Sequence, residues 1–151
     1  MDEQHTGFRA WMNLMRVHQT IQQKVIDLMA RYGLTLAQFD VLVQLQREEG
    51  ITQQQLADRL LVTKGNVTGL IDRLEREKLV ERRSDSEDRR SNLLYLTDSG
   101  SAQILQILPE HKTQLRTLMD ILSREKQEQL LTLLQELEEG LKAGKGQFFL
   151  I

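Results

Sequence analysis

The chain contains no cysteine and one proline, and aromatic residues make up 5% of its 151 residues. The absence of cysteine excludes disulfide bonds, thiolate metal sites and sensing by thiol oxidation. No apolar run approaches the roughly 20 residues that a membrane-spanning helix needs. The first residues also lack the pattern of a secretory signal peptide. We therefore expect a soluble, cytoplasmic protein.

The overall charge does not announce a ligand. Lysine and arginine number 20 against 22 acidic residues, which gives a formal net charge of −2. Binding to phosphates depends on the local field rather than on this total. The middle of the chain is mildly basic and its C-terminal end is acidic. The length suits one ordinary domain, or a small core with extended helices for oligomerisation.

Proline and glycine are scarce within the periodic segments, which predicts a mainly helical chain. The first helix is predicted over Phe8–Tyr32, followed by Gly33 as its C-terminal stop. A second helix is predicted from Leu36 to Glu48, with Thr35 as its cap. We expect the apolar stripe of the first helix to pack on other helices, of this chain or of a second one. That stripe comprises Trp11, Leu14, His18, Ile21, Val25, Leu28 and Tyr32.

A helix-turn-helix pattern follows, after Ile51 as one short strand residue. Thr52 and Gln55 form a predicted capping box at the start of a short helix. A turn at Leu61–Thr63 leads to a second helix, Lys64–Lys78, with apolar residues at i, i+3, i+4 and i+7. Those residues are Val67, Leu70, Ile71 and Leu74.

A hairpin and two more helices complete the chain. Strands are predicted at Leu79–Arg83 and Asn92–Leu96, joined by the turn-prone segment SDSEDRRS. Thr97 is predicted to cap a long helix, in which Pro109 must remove a hydrogen bond and either kink or divide the helix. Ser123 is predicted to cap the last helix. Its apolar face comprises Leu130, Leu133, Leu134, Leu137 and Leu141.

This order of elements predicts a mainly α fold of the α+β winged-helix type, a winged helix-turn-helix with a β-hairpin wing between terminal helices. Such a unit can place its second helix in a DNA major groove and its hairpin in the neighbouring minor groove or on the backbone. Helix N-termini favour phosphate oxygens, which makes Gln53, Gln54 and Thr63 candidate contacts.

The second helix carries the remaining candidates for contacts with DNA. Its leading turns, with Lys64, Gly65, Asn66 and Thr68, can reach base edges. Gly65 and Gly69 each cost about 1 kcal/mol of helix propensity relative to alanine. Either close approach to DNA or simple tolerance explains them. Further along, Arg73 and Arg76 are predicted to meet phosphates, unless they form ion pairs with Glu77 or Asp72.

The wing carries a resemblance to a known family. The passage Asp88–Thr97, DRRSNLLYLT, resembles the D-x-R-x-x-x-V-x-L-T wing signature of the MarR family (multiple antibiotic resistance regulators), with Leu94 where valine is usual. The preceding EKLVER is similar to the family's GLVER-type passage, with Lys78 in place of glycine. Ser99-Gly100 fits the family's helix start. The similarity in element order extends over about residues 8–141.

The resemblance implies a homodimer formed by the first and last helices, with a ligand pocket between the dimer and DNA-binding parts. Residues 1–34 and 98–151 would then be the helical dimerisation region, and residues 35–97 the DNA-binding region. From its residues alone, the apolar tail Phe148–Ile151 is expected to pack on a partner subunit or cover a groove, with a disordered tail as the alternative. Asp88 and Arg90 would brace the wing, and Arg89 would probe the minor groove.

The implied function is that of a ligand-responsive repressor of transcription on a palindromic, double-stranded DNA operator. The expected effector is a small aromatic or phenolic compound, and no cofactor or metal is expected. The candidate ligand-binding residues are Trp11, Met12, Met15, His18 and Phe39. His18 either holds a ligand carboxylate or is a satisfied interface histidine.

A different function remains open from the residues alone. Glu75, Glu77 and Glu81 lie near the basic face, as in a winged-helix protein-interaction module that does not bind DNA. The chain is not expected to be an enzyme, because it lacks a Ser/His/Asp constellation, a phosphate-cradling glycine loop and a metal-ligand spacing.

Overall fold

The computed structural model describes residues 5–60, 62–84 and 92–143. The chain divides into two units, Met1–Lys112 and Thr113–Ile151. The predicted roles of Asp88, Arg89, Arg90 and the tail Phe148–Ile151 concern residues outside these ranges.

The first two helices begin and end where local signals predict, within two residues. Helix α1 covers Thr6–Arg31 and α2 covers Leu36–Arg47. Gly33 adopts a positive φ of 70°. Its N–H donates to Ala30 O, and the next N–H donates to Met29 O, which is the Schellman pattern of a helix end. The predicted cap at Thr35 is confirmed and forms a capping box with Gln38.

The helix-turn-helix pair is confirmed. Strand β1, Ile51–Thr52, leads into α3, Gln53–Leu60, and α4 covers Lys64–Arg76. In the predicted capping box, the Thr52 N–H donates to Gln55 Oε1 at 2.8 Å, and the Gln55 N–H donates to Thr52 Oγ1 at 3.1 Å. Helix α4 ends two residues earlier than predicted, because Lys78 takes a left-handed backbone with φ of 59°.

The predicted hairpin forms an antiparallel sheet with β1. Strand β2 covers Val80–Ser84, one residue later than predicted, and β3 covers Asn92–Leu96 as predicted. The strand order is β1-β3-β2. The register pairs Val80 with Leu96 and Ser84 with Asn92. Leu94 and Leu96 are buried, whereas Tyr95 is half-buried on the other face.

Two long helices follow the sheet. Helix α5, Asp98–Met119, runs through Pro109, so the predicted alternative of a divided helix does not occur. Thr97 caps α5 through Oγ1, which accepts the Gly100 N–H at 3.0 Å. Helix α6 covers Arg124–Ala143.

The hydrophobic core lies within the first unit. Its residues come from the C-terminal part of α1, from helices α2 to α5 and from the three strands. This arrangement confirms the mainly α, winged-helix fold class. The most deeply buried side chains are Leu28, Met29, Val41, Leu42, Leu45, Leu56, Val67, Ile71, Leu74, Leu94, Ile104 and Ile107.

Candidate nucleic-acid interface

The start of α3 places two of the predicted phosphate contacts differently. Gln54 is exposed, and its Nε2 donates to Asp58 Oδ1 at 2.9 Å. Gln53 is half-buried, and its Nε2 is shielded from solvent without a hydrogen-bond partner in the part of the chain that the structure describes. The side chain of Gln54 is therefore available at the surface, while the amide nitrogen of Gln53 is turned inward.

The N-terminus of α4 is an exposed, basic helix start. Thr63 caps the helix, since its side chain accepts the Asn66 N–H. Lys64, Gly65 and Asn66 are exposed, and Lys64 makes no ion pair with a described residue. The positive end of the helix dipole and the lysine ammonium both favour an anion at this point.

Further along α4, the basic side chains remain available. Thr68 is half-buried, and its hydroxyl donates to Lys64 O at 3.0 Å. Arg73 and Arg76 are exposed, and neither forms an ion pair within residues 5–60, 62–84 and 92–143. Arg76 Nε instead donates to the backbone oxygen of Asp72 at 3.3 Å. The alternative in which Glu77 or Asp72 pairs with these arginines is therefore not what the structure shows.

The two glycines of α4 are not required by packing within the chain. A Cβ atom added at Gly65 or Gly69 would meet no atom within 4 Å. Both lie in a helix with ordinary negative φ values, since the positive-φ glycines are Gly33 and Gly50. Each glycine thus lowers helix propensity without an internal reason, which fits the idea of close approach by an external backbone.

The connection from α4 to the wing is a tight junction of backbones. Lys78 O accepts the Thr97 hydroxyl at 2.6 Å, and Leu79 O accepts the Thr97 N–H at 3.1 Å. Gly100 lies directly against this segment, because a Cβ atom there would be 1.9 Å from Leu79 O. The start of α5 is thereby fixed to the turn that orients the wing.

The lower part of the wing consists of the paired residues 80–84 and 92–96, which we call the wing base. Arg83 places its guanidinium carbon 4.2 Å from the ring centroid of Tyr95 and pairs with Glu81. Arg82 turns toward α4 and pairs with Asp72 and Glu75. The predicted wing-tip contacts, Asp88, Arg89 and Arg90, lie outside the described residues.

Sequence reasoning did not find the role of Arg82 or of Gln38. Gln38 is buried, and its Nε2 donates to Glu77 Oε2 at 3.1 Å, which links the start of α2 to the end of α4. These pairs join residues from different elements, so no spacing in the sequence announces them. The alternation of β2, which places Arg82 and Val80 on one face, was the available signal.

The candidate ligand residues fall in two environments. Trp11, Met15 and His18 are exposed on α1, and Met12 is half-buried there. Phe39 is buried, and its ring meets the ring of His111 edge-on, with 5.1 Å between centroids. Burial lowers the pKa of His111, and the charge of Asp40 opposes this shift. The histidine ring that contacts Phe39 thus belongs to His111, whereas the candidate His18 is exposed on α1.

A polar cluster joins the end of α1 to α5. Glu110 accepts hydrogen bonds from the Tyr32 hydroxyl and from the Arg31 guanidinium. The hydrogen bond from Tyr32 holds the pKa of Glu110 below its ordinary value, and Arg31 acts in the same direction. Gln103 Nε2 also donates to Tyr32 O at 2.9 Å. The helix end is thus bound to α5 by side-chain hydrogen bonds.

Metal-binding clusters and membrane-spanning helices are absent from the described residues. Among the described residues, no group of three or more His, Asp or Glu side chains is placed to hold a metal ion. The described helices include none with enough length and apolar character to cross a membrane.

Comparison with known proteins agrees with the geometry. A protein-family model, described as MarR family, matches residues 32–91 of the chain. An HTH-type transcriptional regulator from Bacillus cereus is 31% identical over 140 residues, which span 92% of this chain and 93% of the relative.

Several similar solved structures contain DNA. A MepR–DNA complex from S. aureus has a TM-score of 0.76 and 28% identity, and the match covers 87% of this chain and 96% of that one. A mutant MarR from E. coli, complexed with operator DNA, has a TM-score of 0.79 and 25% identity, covering 91% and 99%. Since family model, relatives and fold agree, the chain belongs to the MarR family of helix-turn-helix transcriptional regulators.

Proposed function

We propose that this regulator is a cytoplasmic homodimer that represses transcription by occupying a palindromic operator. Residues 35–97 serve as the DNA-binding region, and residues 1–34 and 98–151 serve in dimerisation. Helix α4 acts as the recognition helix in the major groove. The wing, with Arg89 at its tip and Asp88 and Arg90 as braces, contacts the minor groove or backbone.

The exposed basic face of α4 is the observation that carries this proposal. Lys64, Arg73 and Arg76 are exposed and make no ion pair with a described carboxylate. Unpaired cations on a helix that begins with free backbone N–H groups suit a line of phosphates and base edges.

The nearby carboxylates are occupied by other side chains, which weakens the case for a protein-interaction module. Glu75 pairs with Arg82, Glu77 accepts the Gln38 amide, and Glu81 pairs with Arg83. These are the three acidic residues that would make the face unsuitable for DNA. Arg82 and Arg83 thus offset the charges of Glu75 and Glu81, whereas Glu77 bonds to a neutral amide and keeps its charge.

Exposed apolar residues support the homodimer. Helix α6 has no buried residue in the isolated chain, and Leu133 and Leu137 are 63% and 51% exposed. On α1, Trp11 and Val17 are 53% and 55% exposed. Exposed apolar side chains of this kind mark contact surfaces, and we expect a second copy of the chain to cover them.

The effector we propose is a small aromatic or phenolic compound. The candidate residues combine exposed apolar side chains on α1, Trp11, Met12 and Met15, with His18 and with the buried ring of Phe39. Candidate compounds would be screened by their release of bound DNA. If His18→Ala leaves release by every active compound unchanged, His18 has no part in the site.

The central experiment is a genomic pull-down with the full chain, followed by fluorescence anisotropy on the recovered sequence at several salt concentrations. We expect the affinity to fall steeply with salt, since phosphate contacts release counterions. Reversing Arg89 and Arg90 to Glu should abolish binding. As a control, Arg47→Glu reverses one exposed charge on α2, outside the proposed contacts and the dimerisation region, and should leave most of it. Unchanged DNA behaviour in the Arg89/Arg90 variant would favour the protein-interaction module.

A further inference from the structure

Arg82 lies in the middle of β2 and turns back onto α4. Its Nη2 is 2.7 Å from Asp72 Oδ1, and its Nη1 bonds to the Glu75 carboxylate. The backbone N–H of Arg82 also donates to Glu75 Oε1 at 3.1 Å. Its side chain is 20% exposed, against 58% for the neighbouring Arg83. Three hydrogen bonds thus tie one residue of the wing base to the recognition helix.

The two carboxylates sit beside the cations proposed to meet DNA. Asp72 directly precedes Arg73, and Glu75 directly precedes Arg76. The cluster of Asp72, Glu75 and Arg82 has a formal charge of −1. Replacing Arg82 with a neutral residue makes this charge −2. Carboxylates released from this pairing would repel phosphates and would also compete for Arg73 and Arg76.

We propose that Arg82 is a positioning residue for DNA binding, which acts without touching DNA. It fixes the first wing strand to α4 and keeps Asp72 and Glu75 away from Arg73 and Arg76. This inference rests on the proposed function, because it presumes that α4 and the wing engage the same operator. The planar guanidinium suits the role, since one fork can serve two carboxylates.

The opposing possibility is that Arg82 itself contacts a phosphate, and Arg82→Lys separates the two. Lysine keeps the charge and binds phosphates well as a point charge, but it cannot reproduce the fork. If Arg82 positions the wing, operator affinity should fall by about tenfold or more with an unchanged salt slope. If Arg82 contacts phosphate, Arg82→Lys should bind as wild type does.

Rescue by charge removal gives the second arm. Arg82→Gln should weaken operator binding by at least about tenfold. Adding Asp72→Asn and Glu75→Gln should recover at least about threefold of that loss, because no carboxylate is then left to neutralise, although the tie between β2 and α4 stays lost. Failure of the triple variant to recover, with a log–log salt slope reduced by about 0.9, would identify a direct phosphate contact and overturn the inference.

Controls keep the outcomes distinct. Arg47→Gln removes one exposed charge from α2, outside the proposed contacts and the dimerisation region, and should leave affinity nearly unchanged. Thermal unfolding identifies any variant that does not fold, and Arg82→Lys then carries the test alone. Wild-type affinity for the variant Arg82→Lys would refute the positioning role. Absence of salt-dependent binding by the wild-type chain would instead refute the proposed function.

Discussion

Gly100 is the residue whose substitution should damage the fold most for the smallest change in volume. A methyl group added there would lie 1.9 Å from Leu79 O and 2.9 Å from Leu79 C. Both atoms belong to the backbone, so no side chain can rotate away. The start of α5 would have to move by about 1 Å or more to restore ordinary contact distances.

The energetic consequence follows from what that movement disturbs. Overpacking of a rigid contact costs about 1–3 kcal/mol. The same shift would weaken the two hydrogen bonds that Thr97 makes to Lys78 O and Leu79 O, each contributing about 1 kcal/mol. We therefore expect Gly100→Ala to lower the free energy of unfolding by about 3–5 kcal/mol. The midpoint of thermal unfolding should fall by roughly 10 °C.

Urea unfolding followed by circular dichroism measures this loss, at one fixed protein concentration because association shifts apparent stability. Gly69→Ala is the matched control, since its added Cβ would meet no atom within 4 Å. The control should gain up to about 1 kcal/mol. If Gly100→Ala loses less than about 1 kcal/mol, the close approach of the two backbones is not a constraint on the fold.

Four substitutions, one of them the control Gly69→Ala, test the interface and its supports. Lys78→Gly should raise the urea midpoint, because relief of left-handed strain, about 1–2 kcal/mol, exceeds the entropy that glycine adds to the unfolded chain, about 0.5–1 kcal/mol; a lower midpoint would contradict this. Gly65→Ala and Gly69→Ala should stabilise the fold by up to about 1 kcal/mol each and weaken operator binding; unchanged affinity in anisotropy would leave simple tolerance as the explanation. Glu110→Gln should flatten the loss of thermal stability in acid. The hydrogen bond from Tyr32 lowers the pKa of Glu110, so its contribution is present above the unfolded-state pKa, about 4.3, and disappears as the pH falls through the lower folded value. An equally steep acid limb in the variant would count against this contribution.

The elements of the fold could be predicted because their signals are local. The caps Thr35, Thr52, Thr97 and Ser123 were all placed correctly, since a hydroxyl that accepts an N–H three residues later is written in adjacent residues. The predicted end of α4, Lys78, lies two residues beyond the observed end at Arg76. Lys78 carries no sign of its left-handed backbone, and only the glycine usual in the family pointed to a turn.

The supports of the candidate interface could not be predicted, because they join residues that folding alone brings together. Arg82 meets Asp72 across a turn and a strand, and Gln38 meets Glu77 across 39 positions. Glutamine side chains are mostly exposed in folded proteins, yet Gln38 is 4% exposed. The DNA-contacting roles were proposed from residue type and helix position, and for Asp88, Arg89 and Arg90 they remain predictions.

The register of the hairpin has a consequence for how such regulators can be altered. The strands stay in phase from Val80 opposite Leu96 to Ser84 opposite Asn92, and Arg82 ties this paired part to α4. Ser84 and Asn92, which flank the seven residues 85–91, are therefore held at a fixed spacing. Doubling a loop's length costs only about 0.6 kcal/mol. On the proposed function, we expect exchange of this segment between relatives to change the operator preference while the rest of the fold stays the same.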